Sequence, residues 1–124
     1  MAMLVGVPKE IKDNEYRVGL VPSTVRELTD KGHDVIVEAG AGSGAGLPDA
    51  DYKAAGAEIV GDADAVYGRA ELIVKVKEPL AAERKKLHGG QVLFAYLHLA
   101  PDRAQTEDLM KAGVTAIALS LIHI

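Results

Sequence analysis

The stretch Glu71-Leu72-Ile73-Val74-Lys75-Val76-Lys77-Glu78-Pro79 decides how this chain folds. Glu71–Val76 is rich in aliphatic and β-branched side chains and reads as a strand. Its apolar run is nearly continuous rather than alternating, the pattern of a parallel strand covered on both faces. Side chains alternate along a strand, so Leu72, Val74 and Val76 share one face and Ile73, Lys75 and Lys77 the other. A lysine inside such a strand is costly unless it is paired or used. Pro79 then stands where the first turn of a helix would begin, ahead of the strong helix formers Leu80–Leu87.

On either side of this stretch the same alternation recurs. Leu4–Val7, Asp34–Glu38, Gln91–Leu97 and Val114–Leu119 read as further strands. Between them, Ser23 or Thr24 can cap a helix that runs to Lys31 and stops at Gly32. Asp49 can open a short helix ending at Gly56, and Asp62 another through about Arg69. A last helix spans Asp102 to Ala112 and closes at Gly113. Strand and helix in regular succession predict an open α/β fold with a mostly parallel sheet, right-handed crossovers and helices on its faces.

Composition narrows the function classes. The chain has 124 residues, 48% hydrophobic and 26% charged, enough for one domain with a true core. A net charge of -4 leaves no basic stripe for nucleic acid. With no cysteine there is neither a disulfide framework nor a thiolate metal site, which fits a reducing cytoplasm. No His, Asp and Glu group has metal-ligand spacing, so no metal is expected. No apolar run approaches the roughly 20 residues that cross a bilayer, and Met1–Val7 lacks the basic start of a signal peptide.

Gly40-Ala41-Gly42-Ser43-Gly44-Ala45 matches a dinucleotide-binding glycine pattern and follows a predicted strand. That pattern needs its turn to open a helix whose N-terminus meets the pyrophosphate. Gly46-Leu47-Pro48 comes next instead, so the expectation is a plain connecting loop and no cofactor-binding residue.

Ligands of open α/β sheets bind beyond the carboxyl ends of the strands. Three candidates lie there. Arg17 can grip a carboxylate through two parallel hydrogen bonds, or pair with Glu15 or Asp13 on the surface. Lys77 can contact a carbonyl or carboxylate, or simply extend its ammonium to solvent. His98 ends a strand and suits proton transfer near neutral pH, or can bond to nearby backbone. His33 and His88 read as surface residues beside glycine turns. Together, Arg17, Lys77 and His98 would make a cradle for a small carboxylate with a proton to move.

These segments also carry a resemblance. Val5-Gly6-Val7-Pro8-Lys9-Glu10-Ile11-Lys12, then Asn14-Glu15-Tyr16-Arg17-Val18, resembles the opening of alanine dehydrogenases and of proton-pumping nicotinamide nucleotide transhydrogenases. Gly32-His33-Asp34-Val35, Glu38-Ala39-Gly40-Ala41-Gly42 and Leu72–Pro79 continue it, so that it covers residues 3–118. Phe94-Ala95-Tyr96-Leu97-His98-Leu99-Ala100 is similar to the alanine dehydrogenases, because transhydrogenases typically lack this histidine.

The resemblance implies a Rossmann-like, substrate-side domain and the reversible oxidative deamination of L-alanine by NAD to pyruvate and ammonia. Arg17 and Lys77 would bind substrate, and His98 would donate and accept the proton. Lys77 is preferred over Lys75 because it directly precedes Glu78-Pro79. The family further implies a cytoplasmic homo-oligomer, often a hexamer, with NAD bound by a second domain that this chain lacks. Leu119-Ser120-Leu121-Ile122-His123-Ile124 does not continue the resemblance, so residues 1–118 are expected to form an incomplete domain and 119–124 a tail of doubtful origin. Such a fragment is expected to be inactive alone. The competing readings are a transhydrogenase α-subunit fragment and a stand-alone small-carboxylate binding module.

Overall fold

The computed structural model describes residues 2–11, 15–77, 80–95, 113 and 115–118. Among these residues six strands form one sheet: β1 (Leu4–Val7), β2 (Asp34–Glu38), β3 (Glu58–Val60), β4 (Leu72–Val74), β5 (Val92–Ala95) and β6 (Thr115–Ala118). Every pairing is parallel and the spatial order is β3-β2-β1-β4-β5-β6. The chain winds outward one way from β1 to β3, then returns to the other side of β1 with β4. Val5 is therefore flanked by Val35 and Leu72, at the point where the winding reverses.

Helices cover both faces, as the continuous apolar strands require. On one face Val5, Val7, Val35, Val37 and Val74 pack with Val25 of α1 (Pro22–Asp30) and Tyr52 of α2 (Asp49–Ala54). On the other, Ile36, Ile73, Leu93 and Ala95 pack with Val66 and Tyr67 of α3 (Ala63–Arg69) and with Leu87 just past α4 (Ala81–Arg84). Gly6 lets α3 approach: a Cβ there would lie 2.6 Å from the Ala70 Cβ and 2.8 Å from Val66 Cγ1.

Several boundaries differ from those the sequence predicts. The helix expected from a Ser23 or Thr24 cap starts earlier, because Pro22 supplies a preset helical φ behind an extended Val21. Its stop at Gly32 is as expected, with φ at +90°. Asp62 caps α3 through Oδ1, which accepts the Ala65 N–H at 2.9 Å.

The strand expected over Glu71–Val76 ends at Val74. Lys75 N–H still reaches the Phe94 carbonyl at 3.0 Å, but the next two N–H groups turn away to a side chain. Gln91 precedes β5 rather than joining it. Its buried amide donates to the Tyr67 and Ala70 carbonyls at 2.8 and 2.9 Å. The helix expected over Leu80–Leu87 is a single turn, because Lys86 and Leu87 bond only three residues back and swing Leu87 into the core. β3 is an addition that the sequence reading lacks. The helix expected over 102–112 lies outside the described residues, as do 119–124.

Candidate functional site

Parallel strands bring all their carboxyl ends to one edge of the sheet, and the reversal between β1 and β4 opens a gap there. The loop after β1 and the loop after β4 face each other across this gap. The first carries Glu10, Glu15 and Arg17, and the second carries Lys75 and Lys77.

Glu10 joins the two loops. It is buried, and its Oε1 accepts from Lys75 Nζ at 2.9 Å and from the Lys77 N–H at 3.2 Å. Its Oε2 accepts the Val76 N–H at 3.0 Å. On the far side of Lys75, Glu83 Oε2 lies 3.1 Å from the ammonium and accepts from the Tyr67 hydroxyl, also at 3.1 Å. The other Glu83 oxygen accepts the Leu80 N–H at 2.9 Å and so starts α4. Lys75 is therefore the paired lysine of its strand, and a buried charge so fully bonded is a structural joint. Burial and the Glu83 carboxylate push the Tyr67 hydroxyl pKa well above that of an ordinary tyrosine, so it remains a donor.

Lys77 points elsewhere. Its ammonium is 4.0 Å from Glu15 Oε1, and its side chain is 34% exposed. Arg17 meets the same carboxylate with its planar fork: Nε donates to Glu15 Oε2 and Nη2 to Oε1, both at 2.9 Å. The Arg17 main-chain N–H adds a third bond to Oε2 at 2.9 Å. These hydrogen bonds, outweighing partial burial, hold the Glu15 carboxyl below the usual carboxylate range. The predicted pair of cations is thus assembled around one carboxylate, with Glu15 as the surface partner that the sequence offered for Arg17. His98, three residues beyond β5, lies outside the described residues.

A cleft of about 410 Å³ runs from Lys9, Glu10 and Arg17 to the glycine turn at Gly40–Gly44. This turn carries a short 3-10 turn at Ser43–Ala45 rather than the start of an α-helix. A Cβ on Gly42 would meet the Leu47 carbonyl at 2.5 Å and Tyr52 Cε2 at 2.7 Å, and α2 opens only at Asp49. Asp49 Oδ1 accepts the Gly40 N–H at 2.9 Å, closing the loop on itself. Buried Tyr52 donates its hydroxyl to the Leu20 carbonyl at 2.7 Å and so ties the same layer to the loop after β1. Burial raises its pKa to about 12.

Of the remaining histidines, His33 is more than a surface residue: its Nδ1 accepts the Met3 N–H at 3.1 Å. Among the described residues no three His, Cys, Asp or Glu side chains gather as a metal site. Sequence reasoning missed Glu10 and Glu83. Their only signal was Lys75, which demanded partners without naming them.

Comparison with known proteins identifies the family. The chain matches the family described as "Alanine dehydrogenase/PNT, N-terminal domain" over residues 6–124. It is 52% identical over 121 residues to the alanine dehydrogenase of Mycobacterium tuberculosis, covering 98% of this chain and 33% of that protein. It is 54% identical to the enzyme of that name from Halomonas elongata, over 97% of this chain and 32% of the relative.

Among solved structures, an L-alanine dehydrogenase superposes with a TM-score of 0.91 at 55% identity, covering 94% of this chain and 32% of that one. A transhydrogenase from Sinorhizobium meliloti superposes with a TM-score of 0.87 at 34% identity, over 97% of this chain and 36% of that one. The chain spans about a third of the length of the curated relatives it matches. With its parallel sheet, its switch-point cations and this match in hand, the chain belongs to the alanine dehydrogenase/PNT N-terminal domain family.

Proposed function

We propose that this chain is the substrate-side part of an NAD-dependent L-alanine dehydrogenase, which interconverts L-alanine with pyruvate and ammonia. The observation that supports this reading best is the cluster at the β1/β4 switch point. There, a bidentate arginine and a lysine already converge on a carboxylate. The higher identity to an alanine dehydrogenase, 55% against 34% for a transhydrogenase, favours this activity over transhydrogenation.

In this reading Arg17 binds the substrate carboxylate by charge-assisted hydrogen bonds, and Lys77 contacts the carboxylate or the carbonyl oxygen. Both fix the orientation of the reacting carbon. His98, just past β5, donates and accepts the proton at the substrate oxygen or nitrogen. NAD supplies hydride acceptance. In this reading NAD is bound by a second domain beyond these 124 residues. Assembly as a homo-oligomer, hexameric by family, and a cytoplasmic location belong to the same reading. Among the described residues no helix is long and apolar enough to cross a membrane.

The test is alanine-dependent NADH formation. The full-length protein is expected to show it, whereas the isolated chain of 124 residues is expected to show none. Turnover by the isolated chain, or a full-length protein that moves hydride only between nucleotides, would overturn the reading.

A further inference from the structure

Arg17 and Lys77 are expected from the sequence; Glu15, between them, has no assigned role. Its side chain is 4% exposed, while those of Arg17 and Lys77 are 64% and 34% exposed. A sunken carboxylate thus lies beneath two outward-reaching cations. Both of its oxygens are taken by Arg17, and Lys77 stands 4.0 Å from one of them. It stays ionised, because the Arg17 hydrogen bonds hold its pKa down.

Charge counting around the cleft gives this carboxylate its consequence. Buried Lys75 is held between Glu10 and Glu83, and Lys9 faces Glu38. At the ligand-facing group itself, Arg17 and Lys77 converge on Glu15, so two cations and one carboxylate leave one cation in surplus. We propose that Glu15 holds the carboxylate site at a single positive charge, and so selects a ligand with one carboxylate over a dicarboxylate of the same shape. This inference rests on the reading that Arg17 and Lys77 receive the substrate carboxylate. The first carboxylate of a ligand meets the surplus cation. A second would approach Glu15 with nothing left to offset it, in a partly buried site where salt screens poorly. Like charge at close quarters then acts as the rejecting element of specificity.

The probes are oxamate and oxalate, which are nearly isosteric and carry one and two negative charges at neutral pH. Dissociation constants for both would be measured on the full-length protein with NADH present, in the wild type and in Glu15→Gln, Glu15→Asp and Arg17→Ala. Gln keeps the shape and loses the charge; Asp keeps the charge and shortens the arm. The expected result is that Glu15→Gln shifts the oxalate-to-oxamate preference about tenfold toward oxalate, equivalent to about 1.4 kcal/mol. Glu15→Asp should keep the wild-type preference.

An Arg17-dependent pair whose preference moves less than twofold in Glu15→Gln would overturn the role of Glu15 alone. So would an equal shift in Glu15→Asp, because geometry rather than charge would then be responsible. If neither probe binds, or Arg17→Ala leaves both affinities unchanged, the reading of the site fails and the proposal with it.

Discussion

The ammonium of Lys75 and the carboxylate of Glu10 meet at 2.9 Å with side chains 1% and 2% exposed, across a gap of 65 residues in sequence. The pair fastens the loop after β1 to the loop after β4, and Glu83 closes the group from a third segment. Removing one member leaves a buried charge without its counter-charge, whereas neutralising all three leaves no charge uncompensated. Lys75→Met is therefore expected to lower the unfolding free energy by about 3–5 kcal/mol. The combination of Glu10→Gln, Lys75→Met and Glu83→Gln should recover much of that loss. Chemical denaturation of each variant measures both, and strict additivity of the three single losses would contradict a coupled group.

Gly19 sits against the end of β4. A Cβ there would lie 2.4 Å from the Val74 carbonyl oxygen, which is backbone and cannot swing aside. Gly19→Ala should force the loop bearing Arg17 away from the loop bearing Lys77, with an overpacking cost of about 1–3 kcal/mol. In the full-length protein the expected signature is a higher KM for pyruvate together with a lower melting temperature. A variant that binds pyruvate normally would show that the two loops need not keep this spacing.

The three predicted site residues should fail in different ways. Arg17→Lys loses the planar fork, so KM for pyruvate should rise roughly 10- to 100-fold, the worth of one or two charge-assisted hydrogen bonds. Lys77→Ala should raise KM and lower kcat together, because it acts on binding and on the reacting oxygen. His98→Asn should lower kcat about 10²- to 10⁴-fold with a smaller change in KM, the mark of a lost proton carrier. Steady-state kinetics in both directions separates these patterns.

Glu38 illustrates the opposite pH behaviour to Glu15. Partial burial raises its pKa above the ordinary carboxylate value, although its Oε1 accepts the Lys9 N–H at 2.8 Å. A raised carboxyl binds more protons folded than unfolded. Its favourable contribution is thus full below the unfolded pKa and disappears as pH rises through the folded one. Glu38→Gln retains an acceptor for Lys9 without a charge to desolvate. It should raise the melting temperature by a few degrees at pH 7, with the gain shrinking as pH falls through the raised folded value and gone below the unperturbed glutamate value of about 4.5. Glu15, held low by Arg17, contributes above its unfolded value and loses that contribution only as pH falls through its folded one.

How much of this was legible in the sequence depended on whether the signal was local. β1 and β2 carry uninterrupted apolar runs, and their bounds agree with the sequence reading residue for residue. Glu58-Ile59-Val60 is too short and too polar at its start to register as a strand, and β2 rather than local preference defines it. The helical promise of Leu80–Leu87 was overridden when Leu87 found the core.

At the site, Arg17 and Lys77 were legible because strand ends can be located from pattern, and a charge beside a strand end is informative. Their shared partner was one of two offered for Arg17 alone. Glu10 and Glu83 could not be found at all, since nothing in a linear pattern shows which glutamate will meet a lysine 65 residues away.

The placement of β1 in the middle of the sheet has a consequence for synthesis. As the chain leaves the ribosome, β1, β2 and β3 with α1 and α2 are complete by Val60, and one half of the sheet can assemble. The other flank of β1 must then wait for Leu72 and its neighbours, a bare ladder of N–H and C=O groups open to any passing strand. The nascent chain is thus most vulnerable to mispairing in the short interval before β4 emerges, and the Lys75–Glu10 contact can form only once that interval has closed.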